Sequence, residues 1–276
     1  MQNFKLDFHM HSTASDGTLS PAALAEECFS LGITHAALTD HDTILGQREF
    51  LERAAELGLC VTSGVELNAE HPHELHILGY GFDIDNKELK DALDSLAQHR
   101  LTRASRIVEA LTKHGYPIEE ERVREIAGDG VIGRPHIAQA LVEKGYVADI
   151  PQAFRELIGE GCPGRVPRFR ISTADAIRII RNAGGRAVLA HPGCMRGEDY
   201  EALIWRLKKQ GLEGIEAFYP AHTDEQCRFF ADLAEKNGLF VTVGSDFHGG
   251  VGHAEHPSAE QRGYEKVSSG ALFNLF

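Results

Sequence analysis

A chain of 276 residues, 42% hydrophobic and 25% charged, can bury a sizeable core as one large α/β domain or as one domain carrying a subdomain; two equal domains suit it less well. No apolar run is long enough to cross a bilayer, no signal peptide is legible at the start, and five scattered cysteines suit a reduced cytoplasmic setting. A formal charge of −13 excludes a protein that coats nucleic acid with its whole surface, because that binding relies on Lys and Arg neutralising phosphates.

In chain order, the alternation of Leu6, Phe8 and Met10 in "KLDFHMH" predicts a strand, on which His9 and His11 share a face. A helix follows, capped by Ser20, opened by Pro21 and ended by Gly32. Next come the strand "THAALTDHD", a helix near 46–57, and the strands "LCVTSGVEL" and "HELHILGYGF". Residues 87–112 read as one long helix, and shorter helical pieces with no convincing strand run on to "GCPGRVPRFR". The βα rhythm resumes after residue 171: a capped helix "STADAIRIIRNAGG", the strand "RAVLAHPG", a helix near 198–210, the strand "GIEAFYP", a helix near 223–237 and the strand "LFVTVGSDFH". Seven strand candidates alternating with helices predict a parallel sheet, interrupted by a helical insertion. No internal repeat is present, and the last fifteen or so residues are weakly patterned and read as a loose tail.

Polar residues collect at the strand ends: His9 and His11, then His41, Glu66, His76, His191, Asp246 and His248. Asp16, in a glycine turn, can fold back over the same mouth. The carboxyl ends of parallel strands converge on one face, where unpaired buried charge would be costly without a cation. Metal binding is therefore the expectation, whereas His35, His71, His73, His99, His114, His253 and His256 read as ordinary satisfied histidines. Nine ligands suit two or three divalent ions, and mixed imidazole and carboxylate donors suit Mn²⁺, Fe²⁺ or Zn²⁺ better than Ca²⁺ or Mg²⁺.

With its motifs "HMHSTASDG", "TDHD", "GVEL", "HILGY", "AHPG" and "GSDFH" in this order, the chain resembles the polymerase and histidinol phosphatase (PHP) family. The resemblance implies a distorted (βα)7 TIM-like barrel of residues 1–90 and 165–276 and a helical insertion at 91–164. It also implies a trinuclear metal site hydrolysing phosphoesters through a metal-bridging hydroxide. Carried over by position, His9, His11, Glu66 and Asp246 would hold one ion, Glu66, His76 and His191 a second, and Asp16, His41 and His248 a third. Asp16, His41, Glu66 and His191 would then stand at the reacting groups.

The stretch from 91 to 170 is charge-neutral, with 12 Lys+Arg against 12 Asp+Glu, so it is the best place for an anion-binding patch. Arg100 and Arg103 lie three apart on one helical face, and the plainer alternative is that Arg100, Arg103 and Arg106 all decorate a solvated helix. Arg134, beside Pro135 at a helix start, and His136 are stronger candidates, since an anion there could meet a guanidinium and free N–H groups. His222, at a strand end, is a candidate to contact substrate or protonate a leaving group. The insertion and "GRPHIA" make the chain most similar to the nucleoside 3′,5′-bisphosphate phosphatase and short-RNA 5′-exonuclease branch. That implies removal of a 3′-phosphate from a small nucleotide, with 5′-to-3′ hydrolysis of short RNA as the alternative. Lower-ranked alternatives are a histidinol-phosphate phosphatase and a non-catalytic PHP module. Neither a membrane nor an obligatory protein partner is expected.

Overall fold

The computed structural model describes residues 5–128, 132–167, 169–195 and 197–249; the weakly patterned tail, His253 and His256 fall outside them. The chain divides into two compact units, Met1–Ala92 with Arg170–Phe276, and Leu93–Phe169.

In the first unit, β1 (Leu6–Asp7), β2 (His35–Ala37) and β3 (Cys60–Thr62) form a parallel sheet in that order, with crossovers through α1 (Pro21–Ser30) and α2 (Gln47–Leu57). α1 begins where the Ala23 N–H donates to Ser20 Oγ, and Pro21 occupies the first turn, where its missing N–H costs nothing. Gly32, at φ 69°, takes the left-handed position after the helix. Leu24, Cys28 and Phe50 from the two helices bury against Met10, Ala36 and Leu38 in one core. Full burial of a side chain such as Leu24 or Phe50 contributes about 1.5–3 kcal/mol.

A second sheet orders β4 (Gly64–Ala69), β5 (Leu75–Tyr80), β6 (Arg186–Leu189), β7 (Gly214–Phe218) and β8 (Phe240–Val243). α7 (Thr173–Asn182) precedes β6, and α8 (Tyr200–Gln210) and α9 (Asp224–Asn237) connect the parallel strands β6, β7 and β8. Two expectations are corrected here. "LCVTSGVEL" is two strands, because the chain leaves the first sheet at Ser63 and enters the second at Gly64. β5 runs antiparallel to both β4 and β6; against β4 the reason is the turn at 70–74, far shorter than the roughly dozen residues a parallel crossover needs.

The strand ladders do not close into a barrel. The two sheets join through isolated bridges, Met10 with Phe247 and His41 with Glu66, and through a 3.1 Å bond from the Phe8 N–H to the Val243 carbonyl. Where regular pairing gives way, most of the predicted ligands sit, while Glu66 and His76 lie within the paired strands β4 and β5.

α3 (Lys87–Lys113) leads into the second unit, followed by α4 (Glu120–Ala127), α5 (Arg134–Glu143) and α6 (Ile150–Ala153), which continues into a π-helical turn, Phe154–Ile158. This unit has no strand among its described residues and has its own core, including Ile107, Leu111, Val123, Ile137, Leu141 and Leu157. No helix among the described residues is long and apolar enough to cross a membrane.

Candidate metal centre

Glu66, fully buried in β4, is the hub of the nine predicted side chains. Its Oε1 lies 2.6 Å from His76 Nδ1, 3.1 Å from His191 Nε2 and 3.3 Å from His9 Nε2. Its Oε2 lies 2.7 Å from His41 Nδ1 and 3.5 Å from His11 Nε2. Asp246 Oδ1 is 2.9 Å from His11 Nε2 and 3.3 Å from His9 Nε2. Asp16 faces His248 Nε2 at 3.4 Å and His41 Nε2 at 4.0 Å, so all nine form one continuous network.

Three overlapping groups offer ligand atoms within 4.8 Å of one another: His9, His11, Glu66 and Asp246; His11, Asp16, His41 and His248; and His41, Glu66 and His76. The first coincides with a set the family resemblance implies. The other two are partitioned differently: His11 joins Asp16, His41 and His248, and His41 takes the place beside Glu66 and His76, while His191 stays within reach of Glu66 Oε1.

These donors fit divalent cations. His9 Nε2, His41 Nδ1 and Glu66 Oε2 are buried without a hydrogen bond, although the last two are only 2.7 Å apart. Nitrogen and oxygen atoms that converge so closely without one donating to the other present lone pairs to a common point, as metal ligands do.

The loops that carry the ligands are tightly specified. Three non-glycine residues have left-handed φ, Asp42 at 52°, His191 at 23° and Asp246 at 56°, and all three lie in these loops, where strain marks a functional site. A Cβ on Gly17 would come within 2.3 Å of the His11 carbonyl oxygen, so the turn carrying Asp16 can close only on glycine. Buried carboxylates brace the rest. Asp40 accepts from the Ser12 N–H, the Ser12 hydroxyl and the Ser15 hydroxyl at 2.7, 2.7 and 2.6 Å, and Asp42 accepts from the Asn68 N–H at 2.9 Å. Asp7 accepts from Ser245 N–H and hydroxyl at 3.0 and 2.6 Å, and the Tyr219 hydroxyl donates to Asp246 Oδ2 at 3.0 Å. Sequence reasoning missed Asp7, Glu216 and Tyr219. For Glu216 a signal existed: one charge inside the apolar strand "GIEAF".

Burial opposes charge throughout the centre, and paired groups overcome it. At His9 burial disfavours the imidazolium, but Glu216, Glu66 and Asp246 outweigh it and hold the ring well above its usual pKa. Burial would raise Glu66, yet His76, His41 and His9 hold its carboxyl well below the usual range. His248, despite burial, is lifted to about 9 by Asp16, whereas burial and the neighbouring His41 and His248 push His11 down to about 4. Burial also raises Asp40 to about 6 against its serine hydrogen bonds.

His222 lies beside the turn after His191. It is buried, its Nδ1–H donates to the Ala217 carbonyl at 3.0 Å, and its Nε2 accepts the Gly193 N–H at 3.0 Å. Both ring nitrogens are thus engaged by backbone, and the ring holds the turn after His191. Arg100, Arg103, Arg134 and His136 belong to the second unit. There Arg103 Nε donates to the Val166 carbonyl at 2.9 Å, Arg134 lies 5.1 Å from the Phe154 ring centre, and His136 Nδ1 accepts the Gly133 N–H at 3.0 Å. Arg100 is half-buried on α3, and Arg106 is on the same helix. Among the remaining histidines, His35 contacts Thr34 Oγ1 and His114 the Ala110 carbonyl, His71 and His73 face Glu198, and His99 stacks on Phe169.

Imidazoles and carboxylates converging at strand ends of an α/β scaffold define a divalent-metal hydrolase of phosphoesters. The chain belongs to the PHP family, whose PHP domain matches residues 7–158. It is 36% identical over 247 residues to a 5′-3′ exoribonuclease of Haemophilus influenzae, covering 88% of this chain and 90% of that one. To a 3′,5′-nucleoside bisphosphate phosphatase of Chromobacterium violaceum it is 35% identical over 260 residues, 91% of each chain. A solved structure from Bifidobacterium adolescentis, described as a metal-dependent phosphoesterase, matches with a TM-score of 0.85 and 29% identity over 99% of this chain and 95% of that one.

Proposed function

We propose that this protein removes the 3′-phosphate from nucleoside 3′,5′-bisphosphates, for example converting adenosine 3′,5′-bisphosphate to AMP and phosphate. The observation that carries this reading is the convergence of six imidazoles and two further carboxylates around the buried Glu66. The name of the Chromobacterium violaceum relative supports the choice of substrate. We read the two sheets as halves of a distorted (βα)7 barrel and residues 91–164 as the cap that confers specificity. Five free cysteines suit a cytoplasmic setting.

Two or three ions, Mn²⁺ first and Fe²⁺ or Zn²⁺ next, would be held by His9, His11, Asp16, His41, Glu66, His76, His191, Asp246 and His248. When bound, such ions polarise a phosphoryl oxygen and bring the pKa of water toward neutrality. The chain's own residues supply the rest. Glu66 stays ionised and shares its two oxygens between neighbouring groups of imidazoles. Asp16, His41 and His191 border the space where a phosphate would sit. Arg134 and His136 at the start of α5, with Arg100 and Arg103 on α3, are the candidates to bind the 5′-phosphate. Requiring both phosphates would separate this activity from that of a generic phosphatase.

A second reading, 5′-to-3′ hydrolysis of short RNA, is favoured by the Haemophilus influenzae relative's name and by Phe169. This ring is 49% exposed in the second unit and stacks on His99 at 4.0 Å, a platform suited to a base. The two readings separate when the Mn²⁺-loaded protein is given adenosine 3′,5′-bisphosphate or a short 5′-phosphorylated RNA at matched concentration. Faster release of phosphate and AMP from the bisphosphate is the expected result. Faster stepwise release of mononucleotides from the RNA would make the exonuclease the principal activity.

A further inference from the structure

Beneath the cluster lies a carboxylate that belongs to none of its three groups. Glu216, in the middle of β7, is fully buried, and burying an unpaired carboxylate is expensive, so its partners define its use. His9 Nδ1 lies 3.0 Å from Oε1 and 3.3 Å from Oε2, and the His191 backbone N–H donates to Oε2 at 2.8 Å. The chain after β8 closes over this pair: a Cβ on Gly244 would stand 2.1 Å from His9 Cβ and 2.5 Å from Glu216 Oε1. Only glycine leaves the carboxylate its place.

The geometry points to Glu216 as a positioning residue that aims His9 and His191 at the metal ions together. By accepting from His9 at Nδ1 it fixes the proton there, so that Nε2 turns its lone pair toward the space shared with Glu66 and Asp246, each 3.3 Å away. That Nε2 has no hydrogen bond of its own, as a ligand atom must not. At His191 the same carboxylate ties down a backbone at φ 23°, a conformation that side-chain-bearing residues rarely adopt, and from it Nε2 reaches within 3.1 Å of Glu66 Oε1. Glu216 thus couples ligands that follow two separate strands, β1 and β6. It also adds a fully buried carboxylate beside those of Asp16, Glu66 and Asp246, lowering the net positive charge that bound ions would give the centre.

This inference rests on the metal-centre reading and names the residue that orders it. Its test is Glu216→Gln, which conserves volume but offers one acceptor where two N–H groups need one. Mn²⁺ binding to the metal-free protein is followed by calorimetry and by metal content after desalting, alongside the unfolding temperature without metal. The expected result is a 10–100-fold loss of affinity at the tightest site, whether or not that unfolding temperature falls. Unchanged affinity and stoichiometry would overturn the role, as would a lower metal-free unfolding temperature with affinity kept, the signature of a brace and nothing more. Should Glu216→Gln fail to fold, Glu216→Asp serves instead, because the shorter carboxylate cannot reach both partners, and the same two outcomes apply. Wild-type protein that takes up no Mn²⁺ would instead overturn the metal-centre reading itself, so the two failures are distinguishable.

Discussion

His222, a candidate for substrate contact in the sequence, holds backbone at both ring nitrogens. Its Nε2 can accept the Gly193 N–H only while unprotonated, and burial accordingly holds its pKa below the usual histidine value. A histidine depressed in the fold stabilises it above the unfolded pKa, about 6.5, and loses that stabilisation as the pH falls below this value. His222→Ala should therefore cost about 1–3 kcal/mol at pH 8, from an unpaired Gly193 N–H and a lost contact with Ala217. The gap to wild type should narrow between pH 6.5 and 5. Denaturant midpoints of the two metal-free proteins across this range check it, and a gap that stays constant would show that His222 does not titrate against the fold. The nine cluster residues were legible because motif after motif sets a ligand type on or just after a strand, although the strand expected to carry His9 and His11 stops at Asp7. Tyr219 was not legible, because what distinguishes it is its contact with Asp246, and Glu216 showed only as one charge in an apolar strand, its partner His9 lying far along the chain.

Elements were legible where their signals are local. The long helix expected at 87–112 is α3, Lys87–Lys113, and the Ser20, Pro21 and Gly32 punctuation of α1 is found as read. The reading failed where pairing is non-local: nothing in "LCVTSGVEL" tells that Ser63 changes sheets, and the βα rhythm hid an antiparallel β5. Barrel closure likewise depends on ladders between distant segments, and here isolated bridges take their place. At this scale the specificity proposal is tested on α5. Gly133 is its N-cap, Pro135 lies in its first turn, and the Arg134 guanidinium rests on the Phe154 ring of the π-helical turn. Arg134→Ala should raise KM for a nucleoside 3′,5′-bisphosphate roughly 10–100-fold, the worth of a charge-assisted hydrogen bond of about 1.5–3 kcal/mol, while sparing an aryl phosphate. Equal losses on both substrates would put Arg134 outside the specificity pocket.

For the whole molecule the question is how a chain of formal charge −13 keeps four of its carboxylates, Asp16, Glu66, Glu216 and Asp246, around one centre. Without metal the balance falls to histidine: Glu216, Glu66 and Asp246 overcome burial to hold His9 well above its ordinary pKa, Glu66 raises His76, Cys194 and Glu66 raise His191, and Asp16 lifts His248 to about 9. In the metal-free fold these partners favour the protonated form of the rings. Raised in this way, the rings stabilise that fold fully below about pH 6.5 and lose that contribution as the pH rises, through about 9 at His248. A divalent ion needs the neutral ring, so metal and proton compete for the same nitrogen atoms, and loading must expel protons. Calorimetric titration of Mn²⁺ into metal-free protein, in two buffers of different ionisation enthalpy, reads this directly. At pH 7 the apparent enthalpy should depend strongly on the buffer, and at pH 9 that dependence should shrink while affinity rises. Heats independent of buffer at pH 7 would mean that the imidazoles are already neutral, leaving the buried carboxylates to be compensated by something other than histidine.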